Sequence, residues 1–181
     1  MRYLKWTLVG LFWLLVAGFA HYTLPQTDIA RITGSYEDRV DVSQQSWAWA
    51  ASPADPARPE RLIFFIQARL ADGQVMVYRN EDTGWGWPPF FKFDTANLQA
   101  EAADMVSSAA EPRWIAIRHY GWRNELLSIF PNALFVRDVE GPDVRIIPWG
   151  NIVILTILAA LGWAIWVRLR RLVVRISQRL P

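Results

Sequence analysis

Two apolar stretches stand at opposite ends of the chain, and they constrain the fold more than anything between them. From Trp6 to Leu24 the sequence reads WTLVGLFWLLVAGFAHYTL, and from Trp149 to Val167 it reads WGNIVILTILAALGWAIWV. Neither contains Asp, Glu, Lys or Arg. A helix of that length covers about 28 Å at 1.5 Å per residue, close to the thickness of a hydrocarbon core. Neither run has the amphipathic period of a helix half-buried in a soluble core. Pro148 stands just before the second run, where a first helical turn tolerates it. Two membrane spans are therefore expected, over residues 6–24 and 148–167. The rival for the first is a cleaved signal peptide: Arg2 and Lys5 make a positive start, and Gly18-Phe19-Ala20 fits a small-x-small cleavage site. The length of the run and its bulky Trp6, Phe12 and Trp13 favour a retained anchor.

Charge sets the expected orientation. Every Asp and Glu lies between Asp28 and Asp143, whereas the flanks hold only bases: Arg2 and Lys5 in front, Arg168, Arg170, Arg171, Arg175 and Arg179 behind. The whole chain has a net charge of +2, so seven bases at the ends leave the middle at about −5. Basic flanks stay on the cytoplasmic side. Residues 1–5 and 168–181 are thus expected in the cytoplasm and residues 25–147 outside it, which in a Gram-negative cell means an inner-membrane protein with a periplasmic domain. Within the tail, Leu169, Leu172, Val173, Ile176 and Leu180 share one helical stripe, and Arg168, Arg171, Arg175 and Arg179 share another. This pattern fits a basic amphipathic helix held on the lipid surface, or a stop signal that continues the span with snorkelling arginines. Nucleic acid is not expected as a partner, since no folded basic domain accompanies the tail.

The middle segment, roughly 120 residues, is enough for one domain with a single core. The absence of cysteine excludes a disulfide framework, thiol catalysis and thiolate metal ligation. Strand patterns are read over Ile29–Val42, with a bulge at Gly34, over Arg61–Leu70, and over Gln74–Tyr78 after an Asp72-Gly73 hairpin turn. Two more are read over Trp114–Tyr120 and Leu134–Val139. Residues 44–58, rich in Ala, Ser and Pro, read as a surface loop. A helix capped by Asp94 or Thr95 is expected from Ala96 to about Ser108, burying Leu98, Ala102, Met105 and Val106. Glu125–Phe130 fits either a strand or a short helix. The fold class is therefore an α+β membrane protein, two terminal helices flanking a small β-rich domain. Three strands, a helix and two strands is the order of an OB-like Greek-key barrel, and a generic α+β sandwich accommodates the same elements.

Two segments could carry function. Trp85, Trp87, Phe90, Phe91 and Phe93 surround Pro88-Pro89 and could form a partner or ligand platform, since rigid aromatics bury large areas at low entropic cost. The plainer reading is a loop that folds its aromatics over the barrel or dips them into the bilayer surface. The second segment gathers Arg118, His119, Arg123 and Glu125, where a histidine beside bases and a carboxylate could act as a general base or hold an anion. Alternation puts His119 on the face of Ile115 and Ile117, which favours a hydrogen-bonded, semi-buried role. With no cysteine and His21 inside a span, a metal site is not expected, and no motif calls for a cofactor.

The segments MRYLKWTLVGLFWLLVAGFAHYTLPQ, YRNEDTGWGWPPFFKFD, NLQAEAAD and RHYGWRNELLSIFPNA together resemble an uncharacterised bacterial membrane-protein family, domain of unknown function 1523, with members mainly in alphaproteobacteria. The resemblance runs over nearly the whole chain and implies the two-anchor layout in a Gram-negative inner membrane. It implies no activity and no catalytic residues. The function expected is a non-enzymatic interaction module, an accessory subunit or assembly factor, with membrane lipid and another membrane or periplasmic protein as partners. The alternatives are an envelope enzyme or small-ligand binder built on the His119 region, and a scaffold that self-associates through the small residues between Gly150 and Gly162.

Overall fold

A computed structural model describes residues 2–41, 60–126 and 128–177. The loop expected over residues 44–58 lies outside them. The chain divides into two compact units, residues 1–145 and 146–181.

The first unit opens with helix α1 (Arg2–Thr23), followed after two residues by strand β1 (Gln26–Asp41). Then come β2 (Glu60–Leu70), β3 (Val75–Asn80), helix α2 (Thr95–Asp104), β4 (Ile115–Tyr120) and β5 (Asn132–Asp138). The five strands close into a barrel in the order β1-β2-β3-β5-β4. Closure works because β1 is long enough to serve two neighbours: Gln26–Ala30 pairs with β4, and Ala30–Asp41 pairs with β2. The register of β1 against β2 slips between Ile32 and Gly34, the bulge that lets one strand bend around the barrel. The β2–β3 hairpin turns at Gly73, whose φ of +89° a side chain would resist.

The parallel β3–β5 contact is brief, with Arg79 opposite Asn132 and the Arg79 N–H donating to the Pro131 carbonyl at 2.8 Å. Asn132 extends it with its side chain. Its Oδ1 accepts from the Glu81 N–H and its Nδ2 donates to the Glu81 carbonyl, both at 3.0 Å. A side-chain amide thus stands in for one more peptide of the ladder, and neither backbone group of Glu81 is left bare.

Inward residues alternate along the strands, as the pleat requires, except in β5, where a register slip against β4 sets the inward Ala133 and Val136 three residues apart. Ala30, Ile32, Ile66, Ala68, Tyr78, Ile115, Ile117, Ala133 and Val136 form the core, and α2 covers it with Leu98 and Ala102. Burying one such leucine contributes roughly 1.5–3 kcal/mol. Helix α2 differs from expectation at both ends. Asp94 makes no side-chain cap; instead Asp82 Oδ1 accepts from both the N–H and the hydroxyl of Thr95, at 3.0 and 2.7 Å. The helix stops at Asp104 because the Ser107 N–H is taken by the Ile32 carbonyl of β1. Val106, expected to be buried, is consequently 43% exposed. Among the described residues of the Glu125–Phe130 stretch there is no helix or strand, only a turn closed by an Asn124–Ile129 bridge.

The second unit contains α3 (Trp149–Ser177), one helix running through the apolar stretch and on into the basic tail without a break. Arg168, Arg170, Arg171 and Arg175 are carried on that continuation, and Arg179 lies outside the described residues. Among the described residues two helical stretches are long and apolar enough to cross a membrane, Tyr3–Thr23 and Trp149–Leu172, and neither is buried by the rest of those residues.

Candidate functional site

The aromatic segment forms a loop between β3 and α2, made rigid from beneath. Gly84, at φ +53°, starts a turn in which the Gly86 N–H donates to the Thr83 carbonyl at 3.0 Å. The base is tied by the Gly84 N–H to the Lys92 carbonyl at 3.0 Å and the Lys92 N–H to Thr83 Oγ1 at 3.1 Å. The Trp87-Pro88 peptide is cis. Phe91 holds φ +52°, a conformation costing a non-glycine residue about 1–3 kcal/mol. What this geometry achieves is outward presentation of rings: Trp85 is 84% exposed, and Trp87, Phe91 and Phe93 are each more than half exposed. Trp85 packs its ring against those of Phe91 and Phe93, with centroids 5.4 and 5.7 Å apart. Phe90 is half-buried against Tyr120 at 4.9 Å.

Beneath the rings, Lys92 turns inward. Its Nζ donates to Asn80 Oδ1 and to the Ala133 carbonyl, the latter at 2.8 Å. Asn80 is itself held by donating to the Thr95 carbonyl and Gln99 Oε1, each at 3.0 Å, so the loop, the barrel and α2 share one buried knot. Burial pushes the Lys92 ammonium down to about 8, against the pull of Asp94, Asp82 and Glu81. Lys92 is the only charged residue from Gly84 to Phe93, and it is buried, so the exposed face of the loop carries no charge.

The aromatic rim continues onto α1. Trp87 stacks on Phe19, with centroids 5.8 Å apart and ring planes 15° from parallel. Trp122, just after β4, packs edge-on against Tyr22 at 5.4 Å and donates its Nε1–H to His21 Nδ1 at 2.8 Å. The Gly121 N–H donates to the Tyr22 carbonyl at 3.0 Å.

A second polar constellation lies inside the barrel. Tyr78 donates its hydroxyl to Asp28 Oδ2 at 2.5 Å, and His119 Nε2 lies 2.9 Å from the same oxygen, out of line with its own ring N–H. Burial alone would raise the Asp28 carboxyl; contact with His119, its charge when protonated and the Tyr78 hydroxyl outweigh burial and hold it below its usual range. Burial and the Asp28 charge push the Tyr78 hydroxyl far up, so it stays protonated and donating. His119 Nδ1 is buried and has no hydrogen-bond partner among the described residues.

The four polar residues of the second sequence segment have separate neighbours. His119 faces the interior. Arg118, one step along the strand, lies over the Phe135 ring at 5.6 Å. Arg123 lies over Phe130 at 4.3 Å and donates to the Ile129 carbonyl at 3.0 Å, while Glu125 sits in the exposed turn. Among the described residues no three His, Asp or Glu side chains gather as a metal site would require. The sequence reading gives Asp28, Tyr78, Asn80 and Lys92 no interior role. For three of them a signal exists: Asp28 alternates with Ala30 and Ile32, and Tyr78 and Asn80 alternate with Met76. For Lys92 no periodicity is available.

The chain is similar to a protein of Haemophilus influenzae described as uncharacterized, 35% identical over 142 residues, which is 78% of either chain. No solved structure matches it. The profile of a family of proteins of unknown function, DUF1523, matches residues 1–173, both apolar helices and the barrel included. On that match, and with such a relative, the chain belongs to the DUF1523 family.

Proposed function

We propose that the protein is an inner-membrane-anchored interaction module, an accessory subunit or assembly factor of a membrane or envelope complex, with no chemistry of its own. In this reading α1 and α3 cross the membrane, both termini are cytoplasmic, and the barrel is periplasmic. Support for the orientation comes from flanks whose only charged residues are bases and from acidic residues confined between Asp28 and Asp143, which leave the middle net negative. We read the barrel as OB-like, since a closed β1-β2-β3-β5-β4 order with a helix between β3 and β4 matches that topology. The observation that carries the function is the exposed aromatic rim. Soluble monomers rarely leave contiguous apolar surface uncovered, and here a strained backbone and a buried lysine hold the rings outward. Mild solubilisation of native membranes after crosslinking, with identification of attached proteins, tests it. Reproducible retention of specific membrane or periplasmic proteins is expected; recovery of the chain alone in every case contradicts it.

A second reading, a small-ligand binder or envelope enzyme, has one observation in its favour, the buried and unpartnered Nδ1 of His119. It expects His119→Ala to abolish binding or turnover of a small molecule while leaving protein partners attached.

A further inference from the structure

On the anchored reading above, we propose that the aromatic rim, Trp85, Trp87, Phe91, Phe93 and Trp122, is seated in the interfacial zone of the lipid bilayer and fixes the barrel on the membrane surface.

Depth is the first argument. Strand β1 begins three residues after α1 ends, and Gln26 Nε2 donates back to the His21 carbonyl at 2.9 Å, so the connection has little slack. Trp87 stacks on Phe19, which precedes the helix end at Thr23 by four residues, or about 6 Å along the axis. Trp122 meets the same helix along one face: it hydrogen-bonds His21, packs on Tyr22, and lies 4.0 Å from where a Cβ on Gly18 would stand. With α1 in the bilayer, contacts at Gly18, Phe19 and Tyr22 carry both tryptophans below the end of the span, to the level of headgroups and first methylenes. Tryptophan favours that level, where the ring meets the acyl boundary and the N–H finds a polar partner.

Chemistry is the second. The loop from Gly84 to Phe93 exposes no charge, because its lone lysine is buried beneath the rings. The exposed carboxylates Asp82 and Asp94 flank the base of the loop, Asp82 engaged with Thr95; its tip is an uncharged aromatic surface continuous with an apolar helix, and such a surface favours lipid. Rigidity is the third. Lys92, Asn80 and the Gly121–Tyr22 bond couple the rim to barrel and helix, so seating the rim also sets how the barrel stands on the membrane.

The chain has no cysteine, so single cysteines report cleanly. The full-length protein carrying Trp85→Cys, Phe93→Cys or Glu111→Cys is labelled with an environment-sensitive fluorophore and placed in nanodiscs of phosphatidylethanolamine and phosphatidylglycerol. Glu111 leads into β4 at the end of the barrel remote from Tyr120. The proposal expects blue-shifted emission at Trp85 and Phe93, quenched severalfold more by headgroup- and shallow acyl-spin-labelled lipid than at Glu111. Emission at all three positions that is quenched by aqueous iodide and not by spin-labelled lipid overturns it. So does a rim label that becomes protected only in native membranes, where a protein covers it. Alkaline carbonate extraction of the wild-type chain from its own membranes separates the two levels. Release defeats the anchored reading and the seating together, whereas retention with a wet rim defeats the seating alone.

Discussion

Replacing Lys92 by methionine should remove a specific pH dependence of stability. In the folded protein the Lys92 ammonium is pushed from an ordinary 10.5 to about 8, first by burial, with Asp94, Asp82 and Glu81 opposing. The unfolded chain therefore holds this proton more tightly than the folded one, and between about pH 8 and 10.5 unfolding takes up a proton. Stability then rises with pH through that window, since the slope follows the excess of protons bound by the unfolded state. At 1.36 kcal/mol per unit, the rise for this one group is about 3 kcal/mol. The tyrosines act in the opposite sense. Burial raises the Tyr78, Tyr120 and Tyr36 hydroxyls, so their contribution is present below about pH 10 and is lost as pH climbs through their folded values. The lysine effect should stand out between about pH 8 and 9.5, before the tyrosines intervene. Lys92→Met leaves Asn80 Oδ1 and the Ala133 carbonyl without this donor, a cost of about 1–3 kcal/mol for each group, partly offset by sparing a buried charge. The assay is denaturant unfolding of the full chain in mild detergent, followed by tryptophan fluorescence from pH 7 to 10. Wild type minus variant should climb across the window. A flat difference refutes the account of Lys92 as a buried, desolvated ammonium.

Three further perturbations read other joints. Asp28→Asn should destabilise the barrel by roughly 1–2 kcal/mol at neutral pH, by weakening the contacts with Tyr78 and His119. It should also flatten the acid limb, because the wild-type carboxylate's contribution is present above pH 3.8 and is lost as pH falls through its lowered folded value; pH-dependent thermal melts report both. Trp122→Phe keeps an aromatic ring against Tyr22 but deletes the Nε1–His21 bond, at about 1 kcal/mol, seen as faster amide exchange at Gly121. Gly121→Ala, at φ +90° beside Pro131 and Tyr22, should cost about 1–2 kcal/mol in the same unfolding assay.

Much of the architecture can be read from periodicity, because strand period and helical apolar runs are consequences of one-sided burial. The hairpin at Gly73, the slip of β1 near Gly34 and the absence of helix or strand over the Gly- and Pro-rich residues 84–90 follow from residue chemistry alone. Other features depend on distant partners. The start of β1 at Gln26 is created by pairing with His119, so Asp28, just outside the strand pattern that begins at Ile29, lies opposite Ile117 inside the barrel mouth. Helix α2 has an apolar Met105-Val106 continuing its period, and only the Ile32 carbonyl, some seventy residues earlier, ends it. Lys92 is hardest of all. A lysine in an aromatic run ordinarily reaches water, and its inward turn needs the Asn80 side chain and the Ala133 carbonyl waiting there. The aromatic cluster over residues 85–93 is legible as a composition anomaly; the contacts of Trp87 with Phe19 and of Trp122 with Tyr22 are not, since they join segments far apart in the chain.

Which side of the membrane each part occupies is the claim on which the rest stands. Single cysteines at Glu111 in the barrel and at Gln178 in the tail, challenged in intact cells made permeable only at the outer membrane with a maleimide that cannot cross a bilayer, test it directly. The account predicts labelling at residue 111 from outside, and at residue 178 only after the inner membrane is opened. Labelling of the tail from outside, or of the barrel only after opening, would contradict it.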